Sequence, residues 1–192
     1  MARGIDLVVT WDDVRGLRRF ERQVRDLNEK FPKALPRVMN QVGDRARTKV
    51  VRELTKQTGL QRAVIRRAVN SQRAFTGKLS YDLRSRGGNI RLKYLQPRET
   101  EAGVVAKPFG KPTLYPGSFL RGGIFPNRKT VARFDGHVFH RLNSSGSRLT
   151  YSRSGVFIPT EMVKGMTAEA FQTEVRSTLP QRIEALAAKL LS

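Results

Sequence analysis

Apolar residues recur along this chain in rhythms that predict different elements. Ile5 to Thr10 is β-rich and stops at Thr10-Trp11-Asp12-Asp13, a cluster that supplies N-cap oxygens and first-turn acids for a helix. Leu17, Phe20, Val24, Leu27 and Phe31 follow at spacings of three and four, a narrow apolar stripe on a highly charged helix. Pro32 and Pro36 are expected to end it, with Pro36 in the first turn of a second helix. That second helix carries Val38, Val42, Ala46, Val50 and Leu54 at i+4, widened by Met39 and Val51. Gly59 suits its C-terminal cap, and Thr58 equally suits the start of a short third helix with Leu60, Val64, Ile65 and Val69.

The period drops to two near Phe75. Phe75, Gly77, Leu79, Tyr81 and Leu83 share one parity, as do Ile90, Leu92 and Tyr94 beyond the SRGG turn. This predicts a hairpin over Ser80 to Leu95, with Arg84, Arg86, Arg91 and Lys93 on its turn and open face. Further strands are expected at Ala102 to Lys107, Phe119 to Phe125, Val131 to Phe134, Gly136 to Leu142 and Gly155 to Ile158. Prolines and glycines cut the middle into loops, and Asn143 to Ser154 reads as a mobile excursion. Pro159 and Thr160 open a last helical region faced by Phe171, Val175, Leu179, Ile183 and Leu186 or Ala187, which Pro180 is expected to kink or interrupt.

The order predicts an α+β fold in one domain, 1–192. Residues 1–70 are mainly helical as N-terminal amphipathic helices. Residues 72–158 form a central antiparallel sheet with long loops. Residues 159–192 give a C-terminal helix packed on the sheet.

Charge changes this picture most. The chain has 37 Lys and Arg against 16 Asp and Glu, a net +21 that favours an anionic neighbour such as nucleic acid or acidic protein surfaces. It has no cysteine, which removes disulfides and thiolate metal sites. No apolar run approaches the ~18 residues of a membrane span. The start, MARGIDLVVTWDD, does not read as a signal peptide, so a reducing cytoplasm and no membrane partner are expected.

Catalytic chemistry finds no residues to carry it. His137 and His140, three apart on an expected strand, point to opposite faces and cannot share a metal. No acid is followed two residues later by Lys, as a metal-dependent nuclease core wants. Glu99 and Glu101 read as solvated charges at the entrance to a strand. Gly77-Lys78 and Gly110-Lys111 lack the rest of a phosphate-binding loop. The expectation is no enzyme, no metal and no cofactor. What remains is a basic span from Arg62 to Arg98 in which Asp82 is the one acid, with Arg62, Arg66, Arg67, Arg84, Arg86, Arg91 and Lys93 as a candidate DNA- or partner-facing surface.

Several stretches in order then resemble a family. TGLQRAVIRRAV, GKLSYDLRSRGGNIRLKYL, ETEAGVVAKPFGKPTLYPGSFLRGG, GHVFHR and SGVFIPTEMV look like the minor tail protein Z group of tailed bacteriophages, the tail completion proteins. The resemblance runs from about Thr58 to the C-terminal helix. It implies a structural virion protein of the neck, assembled in the host cytoplasm, that joins the tail to the DNA-filled head as part of a homo-oligomeric ring, commonly six-fold. The implied neighbours are the tail terminator, a head–tail adaptor or stopper, the tail tube and packaged DNA. The segments carried over make Tyr115, Phe119, Gly122, Gly123, His137, Phe139, Arg141, Phe157, Pro159, Glu161 and Met162 candidate subunit contacts. Pro108 to Pro116 and Asn143 to Ser154 become candidates for ordering only on assembly. The alternative reading is a basic nucleic-acid-binding protein acting through Arg62 to Arg98.

Overall fold

The structure is a computed structural model that describes residues 5–10 and 30–191. Its elements run β1 (Ile5–Thr10), α1 (Lys30–Thr58), α2 (Arg62–Ala68), β2 (Val69–Gln72), β3 (Ser80–Ser85), β4 (Arg98–Thr100), β5 (Gly103–Ala106), β6 (Thr113–Pro116), β7 (Phe139–Arg141), β8 (Leu149–Tyr151), α3 (Ile158–Met162) and α4 (Gly165–Leu191). The class is α+β, with three small antiparallel sheets ordered β1-β3-β2, β4-β5-β6 and β7-β8. The helix expected through Leu17, Phe20, Val24 and Leu27 lies outside the described residues, as does its Trp11-Asp12-Asp13 cap.

α1 begins earlier than expected and runs through both prolines. Pro32 stands in the first turn, where the backbone N–H would be unpaired anyway. Pro36 forgoes one intrahelical bond and buries its ring. Of the face that the i+4 spacing predicted, Val42, Ala46, Val50 and Leu54 are buried together with Met39 and Val51, Val38 is only half-buried, and the earlier start of the helix adds Phe31 and Leu35. α4 lies along α1 in the helical layer over the sheet and buries Phe171, Val175, Leu179, Ile183 and Ala187. It continues unbroken through Pro180. An interior proline costs about 3 kcal/mol, but the four large buried side chains, Phe171, Val175, Leu179 and Ile183, at about 1.5–3 kcal/mol each outweigh it.

The hairpin over Ser80 to Leu95 does not form. β3 has only two edges, and β1 and β2 occupy both, with Leu7 and Ser71 each opposite Leu83. The chain after β3 therefore turns away and pairs elsewhere. Ile90 N–H donates to Val156 (2.9 Å), Ser154 N–H donates to Ile90 (2.9 Å), and Leu92 to Leu95 closes as a 3-10 turn. Tyr81, Leu83 and Leu92 are buried as expected, whereas Tyr94 is exposed.

Other strand expectations divide similarly. β5 and β7 lie inside predicted segments, but Ala132–Phe134 is a 3-10 turn and Gly155 to Ile158 forms no named strand. Of Phe119 to Phe125, only Phe119 and Gly122 make isolated bridges, to Phe139 and Lys129. Both segments expected to order only on assembly are ordered within the single chain. β6 pairs with β5, and β8 pairs with β7. Asn143 ties the turn between β7 and β8 through its side chain to Ser145, Ser147 and the Arg148 N–H. One buried cluster joins residues from Phe31 to Ala187.

Candidate assembly surface

β7 and β8 are short and face little sheet, so their stability rests on side-chain pairs across the strands. Phe139 stands directly opposite Tyr151, ring centroids 5.0 Å apart. On its other side Phe139 exchanges two backbone hydrogen bonds with Phe119 (2.8 and 2.9 Å), which sets Phe119, Phe139 and Tyr151 in a row. Phe134 packs on Phe139 (4.9 Å) and His137 on Tyr151 (4.9 Å, edge-on). Arginines cover both ends of the row: Arg91 lies 3.9 Å over the Tyr151 ring and Arg141 5.2 Å over Phe119.

This cluster explains the histidines. Burial pushes the His137 imidazole below its ordinary pKa, the charges of Lys93 and Arg91 push it the same way, and Asp135 opposes them only weakly. Its Nδ1 is buried and makes no hydrogen bond. His140 instead shares a hydrogen bond with the Ser152 hydroxyl (3.2 Å). The two have different partners, and among the described residues no three His, Asp or Glu side chains group as a metal site would need.

Beside the aromatic row projects a finger, residues 121–130. Gly122 and Lys129 exchange backbone hydrogen bonds of 2.9 and 2.8 Å at its base. Arg128 donates to the Gly123 carbonyl (2.5 Å) and the Arg121 carbonyl (3.4 Å), and its Nε lies 3.4 Å from Glu99 Oε1. Glu99 Oε1 also accepts the Leu120 N–H (3.2 Å). Glu99 is thus not the solvated charge its position suggested; its side chain is only 8% exposed, and it anchors the finger. Glu101 is exposed, as expected. The fingertip is apolar and open, with Ile124 84% and Phe125 40% exposed. A shallow cavity of about 410 Å³ separates β6 from β7-β8, lined by Tyr115, His140, Arg141, Ser152 and Arg153 among others. Burial raises the Tyr115 pKa, so its phenol stays protonated.

The candidate contact residues therefore separate. Tyr115, Phe119, Gly122, Gly123, His137, Phe139 and Arg141 belong to the aromatic row, the finger or the cavity between the small sheets. Phe157, just before α3, is exposed. Pro159 and Met162 are buried in the core and are not available for contact. Glu161 accepts a 2.6 Å hydrogen bond from Gln57, fastening α3 to α1.

The basic candidates also separate. Register Val69↔Ser85 brings the end of α2, with exposed Arg66 and Arg67, beside the end of β3, with Arg84 and Arg86. Arg84 lies 3.2 Å from Asp82, which Lys78 also binds at 2.7 Å. Arg62 stands at the other end of α2. Arg91 is taken by Tyr151, and Lys93 by Asp135 at 2.6 Å. The span from Arg62 to Arg98 is therefore not one face.

Tyr151, Phe134, Arg153 and Arg128 escaped the sequence reading. Tyr151 and Arg153 lie in a Ser- and Arg-rich stretch read as a loop, and only the alternation of Leu149 and Tyr151 marks the strand. Comparison with family models, curated proteins and solved structures returns no match. No helix among the described residues is long and apolar enough to cross a membrane.

Proposed function

We propose that this chain is a structural component of a phage neck, a tail completion protein that helps join the tail to the DNA-filled head. The observation that carries the reading is the order of segments from Thr58 to the C-terminal helix that resembles the minor tail protein Z group. Two features support it. The finger is fastened at its base by backbone hydrogen bonds and leaves an apolar tip exposed, which suits docking because a base already tied has less order to lose on binding. The net +21 calls for anionic neighbours, which packaged DNA and acidic faces of adjacent rings supply. The role is architectural rather than catalytic, in a virion and in contact with terminator, adaptor or stopper, and tube proteins.

The alternative, free nucleic-acid binding through the whole span from Arg62 to Arg98, is weakened because these residues do not share one face: Arg62 stands at one end of α2, Arg66 and Arg67 at the other beside β3, and Arg91 packs over Tyr151. Deleting the gene from a phage that carries it tests the leading reading. Particles should then contain full-length tails that fail to join heads productively. Normal infectious particles from the deletion would refute it.

A further inference from the structure

The exposed face of α1 carries a charge pattern that the sequence reading passed over. Arg37, Arg45, Arg52 and Lys56 are exposed, and Lys49 is half-buried at the margin of the same face. At 100° per residue these five fall within an arc of roughly 120°. Along the axis they span roughly 28 Å at 1.5 Å per residue. Asp44 and Glu53 project outside this arc, so the arc itself holds no acid. Arg45 with Lys49, and Arg52 with Lys56, are like-charge pairs at i,i+4, an arrangement that works against the helix.

Arg62, at the start of α2, faces the same stripe. With Thr48, Lys49, Arg52, Thr55 and Lys56 it lines an open groove of about 380 Å³. Two carboxylates border the groove. Glu53 accepts from Arg52 (3.1 Å) and Lys56 (3.2 Å), and Glu174 on α4 accepts from Lys49 (2.5 Å). Asp44 also flanks the stripe but is paired with Arg73, so six cations against the two remaining carboxylates leave the face positive. The Thr48 and Thr55 hydroxyls donate to carbonyls of their own helix, so the cations carry the recognition.

We propose that this stripe and Arg62 form a track for the phosphodiester backbone of duplex nucleic acid. A duplex presents one negative charge per about 1.7 Å of axis, a density that suits a stripe approaching one helical turn of about 34 Å. No aromatic residue lies between Arg37 and Lys56, so the track has no platform for unstacked bases and no reader of sequence. Binding through backbone charge alone is sequence-independent and steeply salt-dependent. The site deepens the neck proposal by giving packaged DNA a surface to lie on. It is tested on the purified full chain rather than in particles, so the two readings fail separately.

The experiment is fluorescence anisotropy with a labelled duplex of about 20 base pairs over a range of salt. Replacing Arg37, Arg45, Arg52 and Lys56 by Gln should weaken binding roughly tenfold or more and flatten the log–log salt slope by about 3 to 4. Replacing Lys111, Arg121, Arg133 and Arg148 by Gln removes the same charge elsewhere and should leave the slope nearly unchanged. The double variant Arg37→Gln, Arg45→Gln should fall about halfway, and it spares the Glu53 pairs should the fuller variant fold poorly. Equal losses in the stripe and control variants would reduce the effect to net charge and overturn the track. Poly-glutamate binding as tightly as the duplex at equal salt would overturn it in favour of an acidic protein surface.

Discussion

Tyr81 of β3 lies flat on Gly43 of α1: a Cβ added at Gly43 would come within 2.5 Å of both Cδ1 and Cδ2 of the ring. The missing side chain is what lets the long helix settle on the central strand. The ring is held at its far end too, since the Tyr81 hydroxyl donates to Asp44 (2.9 Å), which Arg73 also binds. Burial, with Asp44 nearby, pushes the phenol up to about 12. Gly43→Ala gains about 1 kcal/mol of helix propensity but forces helix and sheet apart, an overpacking cost of about 1–3 kcal/mol or more. The variant should be less stable in urea unfolding. A stability equal to or above that of the parent would show that the ring can slide away.

Helices of this chain are legible because their apolar spacing survives tertiary packing. Leu35 to Leu54 and Phe171 to Ala187 carry an unbroken rhythm, and each buries the face that the rhythm marks. The strands are less legible because pairing partners are set by edge availability, which no local pattern encodes. Ile90 and Leu92 have the parity of a hairpin arm, but β1 and β2 claim β3 first. β2, Val69 to Gln72, is polar and follows α2 without a turn, so nothing local announces it. The Glu99–Arg128 anchor joins residues whose proximity arises only when β4 and the finger meet, and charge type alone favours a solvated reading.

Acid should destabilise the fold in two steps of the same sign. The His137 pKa is held below its ordinary 6.5 by burial and by Lys93 and Arg91. The unfolded chain therefore takes up that proton first, and stability present above pH 6.5 is lost as pH falls through the folded value. Glu174 is held below its ordinary 4.5, mainly by the Lys49 hydrogen bond. Burial alone would raise Asp82, but bonds from Lys78 and Ser80 and the charges of Lys78 and Arg84 outweigh it and lower it. These carboxylates stabilise above their ordinary values, and the contribution disappears at lower pH. Urea unfolding across pH should show both steps, and His137→Gln should remove only the upper one. An upper step that survives in the variant would assign it to another group.

Pro180 interrupts the bonding of α4 without interrupting its path. It lies half-buried, next to buried Leu179, so its ring is not a principal packing element. Pro180→Ala restores one intrahelical hydrogen bond and should stabilise the chain by about 1–3 kcal/mol. Thermal unfolding measures this directly, and a drop in Tm would mean that the proline ring packs better than a methyl group can.

Removing Arg128 should loosen the finger more than the core. Its guanidinium joins two finger carbonyls to buried Glu99, which would be left with an uncompensated charge. Arg128→Ala should cost about 2 kcal/mol or more and speed amide exchange at Gly122 and Lys129, the residues bonded across the base. Glu99→Gln with Arg128→Met removes both charges together and should recover much of the stability. If the double variant is no better than Arg128→Ala, the pair is not what the finger depends on.

Fingertip and aromatic row should respond oppositely to substitution. Phe139 contacts Phe119, Phe134 and Tyr151, so Phe139→Ala empties the centre of the row and, at this half-buried site, should cost about 1–3 kcal/mol. Ile124 is almost fully exposed and Phe125 partly so, and Ile124→Ser with Phe125→Ser should change stability by about 1 kcal/mol or less. If the finger docks the chain into a neck, that stable double variant should still fail to complement a deletion phage. Unfolding in urea separates the two effects from one another, and complementation then reads docking alone. A double variant that is fully stable and fully complements would remove the fingertip from the assembly surface and leave the aromatic row as structural support for the small sheets.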